Sequence, residues 1–122
     1  MLNLLQDGLP LRERMLEQWR IFGRGHDAQS NRKFYLWCWA NKMHYCEECG
    51  RMLPHYNASF VSHILSRGAF PEMAHDPRNV NILCLKCHAQ WENGNRQGMK
   101  IWPKNEKRIE ILKEEYRNFQ RI

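Results

Sequence analysis

The chain has 122 residues, 43% of them hydrophobic, and its 19 Lys and Arg exceed its 13 Asp and Glu for a net charge of +6. That length fits one domain with a real core, the apolar content excludes a disordered tail, and no apolar run approaches the roughly 18 residues of a membrane span. The basic balance suits a polyanionic partner, of which nucleic acid is the commonest.

The start, "MLNLLQDGLPLRERM", lacks a basic n-region and a long apolar h-region, so no signal peptide is read and a cytosolic setting is the default. Within 10–22, Leu11, Met15, Trp19 and Phe22 recur at helical steps, with arginines on the other face. Residues 23–31, "GRGHDAQSN", read as a loop whose Ser30 or Asn31 could cap a second helix over 32–43, where Phe34, Tyr35, Trp37 and Cys38 supply apolar bulk. "CEECGRMLPHY" is a tight turn and a short connection, "ASFVSHI" a short strand, and "SRGAFPEMAHDPRN" is too rich in Gly and Pro for regular structure. "VNILC" is a second strand, and "LKCHAQWENGN" opens a helix that stops near Gly94. A last helix spans 104–121 with Pro103 at its beginning; its seam of Ile109, Leu112, Tyr116 and Phe119 suits a dimer interface or packing on the first two helices.

Cys46-x2-Cys49 and Cys84-x2-Cys87 are two knuckles separated by 34 residues. Each such turn points two sulfurs at one ion, and zinc takes four tetrahedral ligands, so the pair forms a closed structural zinc site. Free or redox thiols are the alternative. Cys38, between two tryptophans, reads as a core thiol.

A zinc site explains how so short a segment folds, not what it does. His88 follows the last knuckle cysteine at the start of a helix, and His63 ends the first strand, near that helix if the strands pair. Phosphodiester hydrolysis needs a base for water and a divalent cation for the phosphate charge, and imidazole can serve either role. A surface or supporting role is the plainer reading of such histidines. Asn79 alone could close the "DPRN" turn, and His26, His44, His55 and His75 read as loop or surface residues.

His63, Asn79 and Cys84-x2-Cys87-His88 together resemble the HNH endonuclease family, whose end reads N-x4-C-x2-C-H after an upstream histidine; here it is "NVNILCLKCH". The stretches His63-Ile-Leu-Ser-Arg-Gly68, Asp76-Pro-Arg-Asn79, Gly94-Asn95 and Cys46 to Gly50 further resemble the NinG/Rap group of phage recombination nucleases. The resemblance covers about 45–96. It implies an α+β fold: a small HNH ββα-metal finger stapled by the four-cysteine zinc site, flanked by N-terminal helices in 1–44 and a C-terminal helix in 97–122 of one domain. It implies hydrolysis of DNA, plain duplex or branched, with Mg²⁺ or Mn²⁺ as catalytic metal, in the cytoplasm of a bacterial or phage-infected cell. His63 would be the general base, His88 the ligand of the catalytic metal, and Asn79 the residue that fixes the loop and orients His63. Arg67 and Lys86 are the expected phosphate contacts near the site.

Two departures stand out. Many HNH enzymes carry a metal-binding Asp before the first histidine, where this chain has Ser62; Glu92, one helical turn after His88, is the substitute carboxylate candidate, or else a solvated glutamate. The NinG-like group commonly has Asn after the last cysteine, where this chain has His88. A non-catalytic zinc-ribbon module for DNA binding or adaptor work is the competing function.

Overall fold

In the computed structural model, residues 9–24 and 27–120 are described; the first eight residues, read above for a leader, and His26 lie outside them. The periodic stretch after Pro10 forms α1 (Leu11–Phe22), with Leu11, Met15 and Phe22 buried. The arginines do not all face away. Arg14, three residues after Leu11, lies on the buried side at 1% exposure, while Arg12 and Arg20 are exposed.

The second helix, α2 (Ala28–Asn41), starts earlier than expected because Asp27 caps it, its Oδ1 accepting the Ser30 N–H at 2.7 Å. Ser30 is instead buried, and the Asn31 side chain is engaged with His75 at 2.8 Å. Phe34 and Cys38 of α2 are fully buried, and Phe34 meets Phe22 edge-on at 5.2 Å. Burial pushes the Cys38 thiol up to about 12, as a core thiol requires.

β1 (Val61–His63) and β2 (Val80–Ile82) pair antiparallel in the register Val61↔Ile82, Ser62↔Asn81, His63↔Val80. The first strand is shorter than "ASFVSHI": Ala58–Phe60 is a 3-10 turn. The connection between the strands holds two further 3-10 turns, each opened by a proline, at Pro71–Met73 and Pro77–Asn79. α3 (Leu85–Asn93) follows β2 directly and ends at Gly94, and α4 (Trp102–Gln120) has Pro103 in its first turn.

The main core gathers Phe22, Phe34, Val61, Val80, Ile82 and Trp91 with three of the knuckle cysteines. A second cluster joins Leu11 and Met15 of α1 to Leu65, Met73 and Leu112, with Ile109, Tyr116 and Phe119 packed against it. The apolar seam of α4 is thus used within the chain.

Charge closes the same layer. Arg14 holds Asp76 with two hydrogen bonds of 3.1 and 3.0 Å, Arg78 binds the same carboxylate, and Arg78 reaches Glu115 of α4 at 2.9 and 2.8 Å. Burial alone would raise the Asp76 carboxyl, but these guanidiniums outweigh it and hold it below its ordinary value. The "DPRN" segment is therefore a buried ionic hub between α1, the loop and α4. No described helix is long and apolar enough to cross a membrane.

Candidate metal centre and nuclease cleft

The first knuckle turns at Gly50, whose φ of +78° few side chains tolerate. The Gly50 N–H bonds to the Cys46 carbonyl at 2.9 Å, the Cys46 N–H to the Arg51 carbonyl at 2.8 Å, and the Cys49 N–H points at the Cys46 Sγ at 3.4 Å. Glu47 and Glu48 between the cysteines were silent in the sequence, yet they anchor the turn. Glu47 accepts the Ile82 N–H and the Asn81 amide, and Glu48 accepts the N–H groups of Lys100 and Ile101 at 2.8 and 2.9 Å.

These bonds bring the first knuckle to the end of β2, where the second begins. The sulfurs of Cys46, Cys49, Cys84 and Cys87 all lie within 4.8 Å of one another, and those of Cys49 and Cys84 are 3.8 Å apart. A zinc–sulfur bond of about 2.3 Å implies tetrahedral edges of about 3.8 Å, so the four cysteines fit a zinc ion. Cys49, the exposed member, has its thiol lowered to about 7, chiefly by the Arg51 N–H, whereas burial raises Cys46 and Cys87. A divalent cation among them would favour all four thiolates. Among the described residues this is the one cluster of three or more such ligands within reach of a single ion.

Cys84 also starts α3: its carbonyl accepts the His88 N–H at 2.8 Å. A residue of the candidate metal centre thereby fixes His88 one turn into the helix. His88 lines an open cleft of about 900 Å³ together with His63, Arg67, Glu92, Tyr35 and Asn31. A smaller recess of about 240 Å³ shares His63 and Glu92 and adds Arg96. Hence four of the residues singled out in the sequence meet in one place. Lys86 does not: it is exposed on α3 and outside the cleft lining.

His63 is half-buried, with Tyr35 at 6.0 Å and Phe34 at 6.2 Å between ring centroids. Its Nε2 is 2.7 Å from the Ala74 carbonyl. That contact puts the proton on Nε2 and leaves Nδ1 as the acceptor. Burial, with the nearby charges of Arg67 and His88, lowers its pKa to about 4 although the Ala74 carbonyl opposes the shift. The ring is therefore neutral at pH 7. His88 has an enclosed Nδ1 with no hydrogen-bond partner, an unusual state for a buried ring nitrogen and one that a bound cation would relieve.

Asn79 is fully buried and lines neither recess. Its Oδ1 accepts the Leu65 N–H at 2.8 Å, and its Nδ2 donates to the carbonyls of Leu65 at 2.9 Å and Met73 at 3.2 Å. It grips the chain on both sides of His63: just beyond it in sequence, and beside the carbonyl that holds its ring. Ser62 is buried at 1% exposure and is not among the residues that line the cleft.

Other histidines fell differently. His75 is buried, against the expectation of a surface residue, because its ring packs on Phe34 at 5.1 Å and Phe22 at 5.9 Å. His44 is exposed and stacked on Trp39 at 3.7 Å, and His55 is exposed. Tyr35 and Asn31, four residues apart on α2, form a cleft wall that the sequence reading assigned to core bulk and capping. Their helical spacing was the available signal.

The HNH endonuclease family model matches residues 46–94, from the first metal-centre cysteine to the glycine that ends α3. No curated protein and no solved structure gives a significant match. The matched segment supports the HNH family, and a mixed fold of helices and a two-stranded sheet with four clustered cysteines is consistent with it. An HNH domain points to nuclease or nucleic-acid-binding function.

Proposed function

We propose that the protein is a metal-dependent DNA endonuclease of HNH type, with β1, β2 and α3 as the ββα-metal finger and zinc at its base. The observation that carries this reading is the shared cleft of His63, His88, Glu92 and Arg67 beside a zinc-compatible cysteine cluster.

His63, neutral and oriented by Ala74, is the general base: Nδ1 takes the proton of the attacking water. Asn79 is a positioning residue, holding Leu65 and Met73 on either side of that ring. Arg67, which lines the cleft 5.9 Å over the Tyr35 ring, would meet a phosphate there. His88, with Glu92 one turn along, would hold Mg²⁺ or Mn²⁺, and the ion would neutralise charge on the phosphate and the departing oxygen. Mg²⁺ commonly keeps several waters and uses one or two protein ligands plus phosphate, so this sparse donor set is compatible with it. The NinG/Rap-like motifs favour branched or recombination DNA as substrate.

The second reading, a non-catalytic DNA-binding or adaptor module, is favoured by one observation. Position 62, which carries an Asp in many HNH enzymes, is here a buried serine that offers the cleft no carboxylate.

Incubation of supercoiled plasmid with Mg²⁺ or Mn²⁺, with and without chelator, separates the two. Nuclease function predicts metal-dependent nicking that His63→Ala reduces by about 10²–10⁴ while zinc content and DNA affinity persist. Absence of product on duplex and branched DNA with either metal leaves the adaptor reading.

A further inference from the structure

A second concavity, of about 480 Å³, lies outside the cleft and shares no lining residue with it. Lys42, Lys100, Lys104 and Arg108 line it, and Glu47 is its one carboxylate. Both Glu47 oxygens are already engaged, with the Ile82 N–H, the Asn81 amide and, at 3.4 Å, the Lys104 ammonium. Four cations thus line one recess with a single carboxylate, which only Lys104 among them contacts. The hairpin links the two concavities: Val61 lines the cleft, and its strand partner Ile82 lines the basic recess. The recess is rigidly built. Glu48 holds the N–H groups of Lys100 and Ile101, and the metal-centre turn holds Glu48.

We propose that this recess is a second nucleic-acid contact, which grips backbone phosphates of the same DNA at a distance from the scissile bond. The inference rests on the nuclease reading and extends it. An isolated phosphate could sit among four cations, but the recess is open and two of its lysines are exposed, which suits a backbone passing across it. Burial also lowers the pKa of Lys42, against the opposing pull of Cys38 and Glu47, so a bound anion would favour its charged form. Tyr45 and Met43, both exposed at its rim, offer an apolar face beside the phosphates.

The test measures affinity for a fluorescent 30-base-pair duplex as a function of salt, on His63→Ala protein without added Mg²⁺ or Mn²⁺ so that cleavage does not interfere. Lys100→Gln with Lys104→Gln is compared with Lys107→Gln with Lys113→Gln, the same loss of charge at two exposed α4 positions outside the recess. Circular dichroism and zinc content verify that all variants fold. The proposal predicts that the recess pair lowers the slope of log K against log salt by about 1.8, since each phosphate contact contributes about 0.9. The control pair should move it by less than half of that. Equal effects of the two pairs, or none from the recess pair, would overturn the proposal while leaving plasmid cleavage by the native protein to decide the nuclease reading. Binding of free inorganic phosphate or an acidic peptide by the recess, without a change in DNA slope, would also overturn it.

Discussion

The indole N–H of Trp91 donates to the backbone carbonyl of His63 at 3.0 Å. Trp91 lies three residues after His88 and is almost fully buried, so this one bond sets the helix that carries one histidine against the strand end that carries the other. Trp91→Phe keeps most of the apolar volume and removes the donor, leaving a carbonyl to be satisfied. The expected loss is about 1–2 kcal/mol in chemical denaturation. Cleavage should fall further than DNA binding, because the two histidines lose their mutual registration. Unchanged stability together with unchanged turnover would show that this bond positions nothing.

Asp76 should be the most sensitive charged position. Asp76→Asn removes the counter-charge from beside Arg14 and Arg78, one of which is almost completely buried. Breaking a buried pair from one side typically costs about 3–5 kcal/mol. The pH dependence has a definite sign. The folded carboxyl titrates below its ordinary value, so its stabilisation is present above the unfolded pKa of 3.8 and is lost as pH falls from there through the folded pKa. Wild-type stability should therefore drop below about pH 4, and the Asn variant should lack that component of the drop.

One zinc per chain is expected on elemental analysis. Removing it with a strong chelator should melt the hairpin and the start of α3 first, since both knuckles and the Cys84 carbonyl belong to that region. Cys84→Ser should reproduce the effect at physiological temperature. Full near-ultraviolet circular dichroism after verified loss of zinc would contradict a structural role.

Cleavage should not show a histidine limb near neutrality. His63 is pushed to about 4, mainly by burial, and accepts a proton only when neutral. The rate should be level, as far as this group is concerned, from about pH 5.5 upward and should fall on acidification with a midpoint near 4. A stability contribution follows the same group: the folded pKa lies below the unfolded 6.5, so it is present above 6.5 and is lost as pH falls toward 4. A midpoint near 6.5 in kcat/KM would mean that the ring is solvated during the reaction, contrary to its place between Tyr35 and Phe34.

The sequence by itself determined the features whose cause lies within a few residues. Each C-x2-C turn paired two sulfurs through local turn geometry, with a glycine at the positive φ after Cys49, while the meeting of the two turns rests on the distant bonds of Glu47 and Glu48. Helical periodicity located α1 and the seam of α4, and Pro103 and Gly94 marked a start and a stop because of what their own backbones allow. The cap of α2 was misassigned even so: Asp27, not Ser30 or Asn31, accepts the Ser30 N–H and starts the helix earlier.

Only the tertiary structure decided what depends on distant partners. Arg14 and Asp76 are 62 positions apart, and nothing near either residue announces that each is buried against the other. His75 was hidden for the same reason: its place inside follows from Phe22 and Phe34, which belong to helices far earlier in the chain. The motif showed that Asn79 stands between two histidines in sequence, but its three bonds to Leu65 and Met73 exist because the loop folds back over it. The second wall of the cleft came from α2, whose Tyr35 reads as core until the hairpin packs beneath it. Backbone rules act locally and can be read locally. Burial, charge pairing and the gathering of a cleft depend on which surfaces meet, and packing alone selects those.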